Sequence, residues 1–162
     1  MECLSFAYFY TMITREATEQ DLEILLTFEQ GIVSAERPFN ITLIDGEIHY
    51  YDLSHFIKSP DATLLIAEEN NEIIGSGYAL IKKSEKDYYK FEKYAYLGFM
   101  YVKPEYRGKG VNKVITDELI SWARSRNVTE VRLDVYAENE SAVKAYEKAG
   151  FEPHLLTMRL KA

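Results

Sequence analysis

The chain has 162 residues, of which 47% are hydrophobic and 14% aromatic, and a formal charge of -7. That length is one domain able to bury a sizeable core, and the composition excludes a disordered chain. The acidic balance argues against nonspecific binding to nucleic acid and is compatible with a cationic substrate such as an amine.

Cys3 is the only cysteine, which excludes an intramolecular disulfide and a cysteine-based metal site. His49, His55 and His154 have no i,i+4 histidine and no cysteine near them, so they read as surface or core residues and no metal is expected. No apolar run approaches the roughly 20 residues that a membrane span needs. The apolar stretch Met1–Thr11 carries Glu2 in place of a basic start and no small-residue cleavage pattern comes after it, so the expectation is a cytoplasmic protein with no membrane partner.

Residues 1–11 read as an N-terminal extension and residues 12–162 as a single domain. Met12–Thr18 is a short strand followed by Thr18 as a helix N-cap, with Asp21 three residues on. Leu22, Leu25, Leu26 and Glu29 lie three or four apart, which predicts a helix from Glu19 to about Gln30. From Gly31 to Asp52 the period is lost, with Pro38, Asn40, Asp45 and Gly46 as breakers, and Leu53–Lys58 then forms a short helix capped by Asp52. Thr63–Glu68 and Ile73–Ile81 are β-branched, apolar strands joined by the hairpin turn Glu69-Asn70-Asn71-Glu72. A charged excursion, Lys82–Lys93, leads to a strand over Tyr94–Val102. Val111, Val114, Ile115, Leu119, Trp122 and Ala123 give Gly110–Arg126 helical spacing, with Trp122 in the core. Glu130–Val135 is a strand, Asn139–Ala149 a helix and His154–Leu160 a final strand. The order describes an α/β fold, a mixed sheet with helices on both sides, with no internal repeat and no linker.

Two stretches carry the chemistry. Tyr101–Lys113 is an apolar strand that runs through a turn rich in glycine and positive charge straight into a helix. Such a junction offers unpaired backbone N–H groups at the positive end of a helix dipole, a natural seat for an anion. Gly108 and Gly110 lack a Cβ and let a pyrophosphate approach the main chain, while Arg107, Lys109 and Lys113 add charge. No hydroxyl follows Lys109 or Lys113, which argues against a Walker loop, and Lys113 stands where a dinucleotide fingerprint has its third glycine. The second stretch, Asn139–Phe151, is a helix with Asn139 as N-cap. Ala142, Ala145, Tyr146 and Ala149 form a small-residue face, and Gly150 is the stop.

Together these stretches resemble the GNAT superfamily of acetyl-CoA-dependent N-acetyltransferases. Arg107, Gly110 and the Val102-x-Pro104 lead-in match its pyrophosphate loop, Arg/Gln-x-x-Gly-x-Gly/Ala, with Asn112 in place of the last small residue. Asn139, Ala142, Tyr146 and Gly150-Phe151 match its second signature. The resemblance covers residues 12–162 and implies a mostly antiparallel sheet whose strands Tyr94–Val102 and Glu130–Val135 splay apart to admit the pantetheine arm beside Met100, Tyr101 and Val102. It implies acetyl-CoA as acetyl donor, held by Arg107, Gly108, Lys109, Gly110, Val111 and Asn112 with Asn139 and Tyr146. The resemblance further implies that the amine acceptor attacks directly, that a backbone N–H of the Tyr94–Val102 strand stabilises the oxyanion, and that Tyr146 is the general acid.

Many members carry a glutamate base four residues before the valine, where this chain has Gly98. Neutralising an amine of pKa near ~10.4 at pH 7 costs about 4–5 kcal/mol, so a water relay or a carboxylate from residues 31–52 is expected to take the proton. That segment covers the family's acceptor site, and Glu36, Arg37, Phe39, Asp45, Glu47, Tyr50 and Tyr51 are its candidates to recognise the acceptor. Gly98 and Asn112 keep a second reading open, an acyl-CoA-binding sensor on the same fold. A homodimer also stays open.

Overall fold

Asn70 and Asn71 both take left-handed backbone conformations, with φ of 54° and 63°, as a tight two-residue hairpin turn requires. They join β2 (Ala62–Glu69) to β3 (Glu72–Lys83). The computed structural model describes residues 12–161, so the proposed extension, residues 1–11, lies outside the described residues. Around the hairpin, β1 (Ile13–Glu16), β4 (Lys93–Val102) and β5 (Val131–Leu133) complete a five-stranded sheet in the order β1-β2-β3-β4-β5. All pairings are antiparallel except β4 with β5. The expected mixed, mostly antiparallel α/β sheet is therefore present.

Helices α1 (Leu22–Glu36) and α2 (Leu53–Lys58) cover one face, where Leu25, Phe28, Ile32, Leu53 and Phe56 pack on Leu64, Ile66, Tyr78 and Phe99. Helix α3 (Val111–Ser125) covers the other, with Val111, Ile115 and Leu119 on Leu65, Ala67, Ile74, Ala79 and Leu97. The caps read from the sequence are in place. Thr18 and Asp21 form a capping box, and Asp52 accepts the His55 N–H at 2.9 Å.

Helix α1 does not end near Gln30 but continues to Glu36. Gly31 lies inside it because the Tyr101 ring leaves no room for more, and a Cβ there would collide with the ring edge at Cε2. A helical glycine costs about 1 kcal/mol relative to alanine, and here it admits an aromatic contact between Tyr101 and Phe28 at 4.6 Å. Trp122 is only half-buried, with the Arg126 guanidinium 5.0 Å from its ring.

Two irregularities in β4 shape the cleft. The register with β3 jumps from Gly98↔Tyr78 to Tyr101↔Ser76, so Phe99 and Met100 together face Gly77. This is a bulge, and Phe99 takes φ 55° within it. It inverts the alternation: Tyr96 packs on the α1 side, yet Phe99 and Tyr101 also pack there while Met100 and Val102 turn to α3. On its other edge, β4 pairs with β5 only at Ala95, Tyr96 and Leu97. From Gly98 onward that edge is open, which is the expected splay.

The C-terminal part departs from the expected pattern. β5 is three residues long, not six, and α4 (Glu140–Lys148) has no fully buried residue. No strand forms over His154–Leu160. Leu155, Leu156, Met158 and Leu160 are 86%, 66%, 86% and 91% exposed. Alternating apolar residues make a segment competent to be a strand, but a ladder needs a neighbour, and here none stands beside it among the described residues.

Candidate functional site

The open half of β4 leads directly into the anion loop. After Val102, Pro104–Tyr106 make one 3-10 turn, and Arg107 folds back so that its Nε donates to the Val102 carbonyl at 3.1 Å. Gly108 and Gly110 take φ 74° and 84°, and no heavy atom outside the adjoining residues lies within 4 Å of where a Cβ on either would sit. The turn therefore demands glycine for its backbone, while the space above it is clear. Gly110 is the N-cap of α3, and Val114 is the first N–H to close back, onto the Gly110 carbonyl at 3.1 Å. The N–H groups of Val111, Asn112 and Lys113 have no carbonyl one turn behind them within the helix. Lys109 Nζ lies 4.9 Å from the centre of the Tyr106 ring, and Lys113 pairs with Asp117.

Tyr146 lies on α4, edge-on to Phe151 at 5.9 Å. Phe151 in turn packs with the α3 cluster that holds Met100 and Val102. Burial pushes the Tyr146 phenol up to about 12, so it stays protonated at neutral pH. Asn139 is committed to capping, its Oδ1 accepting from the Ala142 N–H at 3.3 Å and the Ser141 hydroxyl at 3.2 Å. Its side chain thus sets the start of the helix that carries Tyr146.

On the α1 side the irregular segment is pinned by side chains. Glu29, fully buried on α1, accepts the N–H groups of Tyr50 and Tyr51 at 2.7 and 3.0 Å and contacts His49 Nδ1 at 2.7 Å. Gln30 pairs with both backbone groups of Ile48. Arg37 donates to the carbonyls of Ile44 and Gly46, and so holds the loop rather than presenting a charge. Asp45 and Glu47 are exposed. Glu36 is different: it is half-buried, accepts from the Tyr50 hydroxyl at 3.2 Å, and burial raises its carboxyl above the ordinary range.

Just after α1, the same segment reaches Tyr136 beyond β5. Asn40 Nδ2 donates to the Tyr136 hydroxyl at 2.9 Å, and the Phe39 ring stacks on Tyr136 at 6.2 Å. Tyr136 follows β5, so α1 and β5 are bridged past the open edge of β4. A chain of aromatic contacts runs from Tyr50 through Tyr51 to Tyr78 and Phe99. A groove of about 500 Å³ between α1 and residues 49–54 shares Tyr50 and Tyr51 with it.

Gly98, at the position where many family members carry a glutamate, lies under Tyr78, and a Cβ there would stand 2.7 Å from the ring. A side chain at this position would require the Tyr78 ring to move. Burial pushes the Tyr78 phenol up to about 12. Tyr96 donates to Asp134 at 2.9 Å, and burial, reinforced by that carboxylate, raises it as well. Asp134, Tyr136 and Tyr78 belong to no sequence motif. The only signal for them is register, since Asp134 and Tyr136 come just after a strand that ends at the splay. Among the described residues no cluster of three or more His, Cys, Asp or Glu is arranged to hold a metal ion, and no helix is long and apolar enough to cross a membrane.

Comparison with known proteins agrees with this architecture. Residues 30–151 match the model of the acetyltransferase (GNAT) family. The chain is 32% identical over 137 residues to the acetyltransferase ECA0875 of Pectobacterium atrosepticum, covering 83% of each. It spans only 24% of the length of two other N-acetyltransferases that it matches, MJ1207 of Methanocaldococcus jannaschii and YobR of Bacillus subtilis. The BH1408 protein of Bacillus halodurans, in a tetramutant structure, superposes with a TM-score of 0.83 at 22% identity, over 93% of this chain and 99% of that one. A predicted acetyltransferase of Clostridium acetobutylicum, solved with acetyl-CoA, superposes with a TM-score of 0.71 at 23% identity, over 93% and 96%. By the extent of the family match and the relative aligned over most of both chains, this protein belongs to the acetyltransferase (GNAT) family.

Proposed function

We propose that the protein moves an acetyl group from acetyl-CoA to a primary amine by direct attack in a ternary complex. The observation that carries this reading is the half-strand Gly98–Val102, unpaired toward β5 and continuous with a loop whose backbone is open to an anion. Acetyl-CoA fits these residues. The free main-chain groups of Met100, Tyr101 and Val102 suit an extended arm added like a strand. The backbone from Arg107 through Gly108, Lys109, Gly110, Val111 and Asn112 suits its pyrophosphate. Asn139 acts through the helix it caps.

The amine nitrogen attacks the thioester carbonyl, forming the C–N bond as the C–S bond breaks. A backbone N–H at the Phe99–Met100 bulge stabilises the developing oxyanion. Glu36 takes the amine proton, directly or through water, and its raised affinity for a proton suits it to that task. The Tyr146 phenol gives its proton to the departing thiolate, so the products are an acetamide and the free thiol of CoA.

Release of CoA thiol on mixing the protein and acetyl-CoA with a panel of polyamines, aminoglycosides and peptides tests the reaction. Tyr146→Phe tests the acid: kcat is expected to fall by about 10²–10⁴, with acetyl-CoA affinity and melting temperature unchanged. A kcat within about threefold of wild type, with chemistry rate-limiting, would remove Tyr146 from that role.

A further inference from the structure

The α1 face of the sheet runs on past the tyrosines of the cleft to two cations that the proposed reaction does not use. Leu80 and Tyr96 pack toward α1, so Lys82 and Tyr94, each two residues away along its strand, share their face. Arg132 pairs with Tyr96, and its neighbours Val131 and Leu133 turn to the α3 side, which puts Arg132 on the same face again. Half-buried Lys82 has its Nζ 4.2 Å from the centre of the Tyr96 ring and meets no carboxylate among the described residues. The Arg132 guanidinium is held in place. It lies 5.4, 5.0 and 5.4 Å from the ring centres of Tyr89, Phe91 and Tyr94, and its Nε donates to Glu130 at 2.9 Å. Tyr89 and Phe91 come from the charged excursion between β3 and β4, which thus serves as the clamp. Neither Nη group of Arg132 has a hydrogen-bond partner among the described residues, and the side chain is 29% exposed. A fixed guanidinium with both outer nitrogens free is shaped for a carboxylate or a phosphate.

Charge along this face is ordered. Glu36 and Asp134 stand at the inner end, bonded to Tyr50 and Tyr96, and Lys82 and Arg132 stand at the outer end. Lys82 and Arg132 are two strands apart, roughly 10 Å between backbones, a gap that two long side chains can close on one anion. We propose that they form an anion subsite at the outer end of the acceptor cleft, and that the acceptor is an amine carrying a carboxylate or phosphate further along its chain. The distance between its two groups rests on the transfer reading above, which sets the amine at the Phe99–Met100 bulge. From there to Tyr96 is three strand residues, roughly 10 Å. An α-amino acid is too short to reach both ends, and a diamine would set an ammonium against the outer pair.

Four acceptors of one chain length separate the possibilities: an ω-amino acid, the phosphate ester of the matching amino alcohol, the plain alkylamine and the diamine. With release of CoA thiol as the readout, the better of the two anionic amines is expected to show a kcat/KM at least about tenfold above the alkylamine and the diamine, mostly through KM. Which of the two is better tells carboxylate from phosphate. Lys82→Met keeps the stem over the Tyr96 ring and is expected to collapse that ratio, while Lys82→Glu is expected to turn it toward the diamine. Calorimetry with the two anionic amines in the presence of CoA reads the subsite without turnover. Binding weakened about tenfold by Lys82→Met, with no thiol released from any acceptor, would uphold the subsite and sink only the transfer reading. Equal kcat/KM for the anionic amines and the alkylamine, a wild-type preference for the diamine, a preference that survives both Lys82→Met and Arg132→Ala, or no turnover and no binding of either anionic amine would each overturn the proposal.

Discussion

The two walls of the cleft are built by different means. The wall made by α1 and residues 37–52 is held by side chains: Glu29 and Gln30 fasten residues 48–51, Arg37 fastens residues 44–46, and Asn40 with Phe39 ties the segment to Tyr136. The wall made by residues 103–113 and α4 is shaped by backbone: positive φ at Gly108 and Gly110, free N–H groups at the start of α3, and the Asn139 cap. A side-chain wall can be re-specified by substitution while its scaffold stands. A backbone wall reads only shape and charge, which suits a constant donor. Glu29 and Glu36 show the contrast within one wall. They lie seven residues apart on α1, yet Glu29 is fully buried and satisfied, whereas Glu36 is half-buried with one bond from Tyr50.

The largest expected effect is kinetic. Glu36→Gln should lower kcat/KM for the amine by about 10²–10⁴ at neutral pH, with acetyl-CoA affinity unchanged by calorimetry. Its stability effect runs the other way. The folded state holds the carboxyl above its ordinary value of 4.5, so the native protein binds the extra proton and ionisation at neutral pH weakens the fold. Melts across pH should therefore show the variant no less stable at neutral pH, the difference narrowing as acidification passes the raised value toward the ordinary one.

Glu29→Ala should do the reverse, leaving two backbone N–H groups without their acceptor. A loss of about 3 kcal/mol, or roughly 6–12 °C in Tm, is expected, together with a raised KM for the amine. Acetyl-CoA affinity is expected to hold, and its collapse would mean that the walls are not independent.

Gly110→Val should weaken acetyl-CoA binding by more than the tenfold step of about 1.4 kcal/mol. Gly46 has the same φ of 84° and the same open surroundings. Gly46→Ala carries similar backbone strain on the other wall and should leave that affinity alone. The smallest effect belongs to Asn139→Ala, about 1 kcal/mol of stability for a lost cap. Asn139→Asp keeps the cap, so acetyl-CoA affinity restored in that variant would show that Asn139 acts through the helix and not by contact.

Local chemistry is legible in the chain. The Asn70-Asn71 turn, the Thr18, Asp52 and Asn139 caps and the glycine loop before α3 all depend on residues within a few positions of one another, so each can be read and placed to within a few residues. Gly31 reads as a helix end in the sequence because its reason is the Tyr101 ring, 70 positions away. Gly98 reads as a missing base, and only the packing of Tyr78 shows why no side chain stands there. The bulge at Phe99 leaves no pattern in the sequence, yet it turns Phe99 to the α1 face. Asp134 and Tyr136 join the cleft solely because β5 stops at Leu133.

The sequence by itself determined every element but the expected last strand, their order, the anion loop and the family resemblance, since hydrophobic period, capping and turn preference are short-range properties. Tertiary structure alone decided where β4 loses its partner, which carboxylate of α1 is fully buried and which stays half-buried, and that residues 152–161 find no neighbour among the described residues. Each of these depends on what lies across a sheet or under a ring, and pairing between distant segments is a long-range choice that local periodicity permits but does not make.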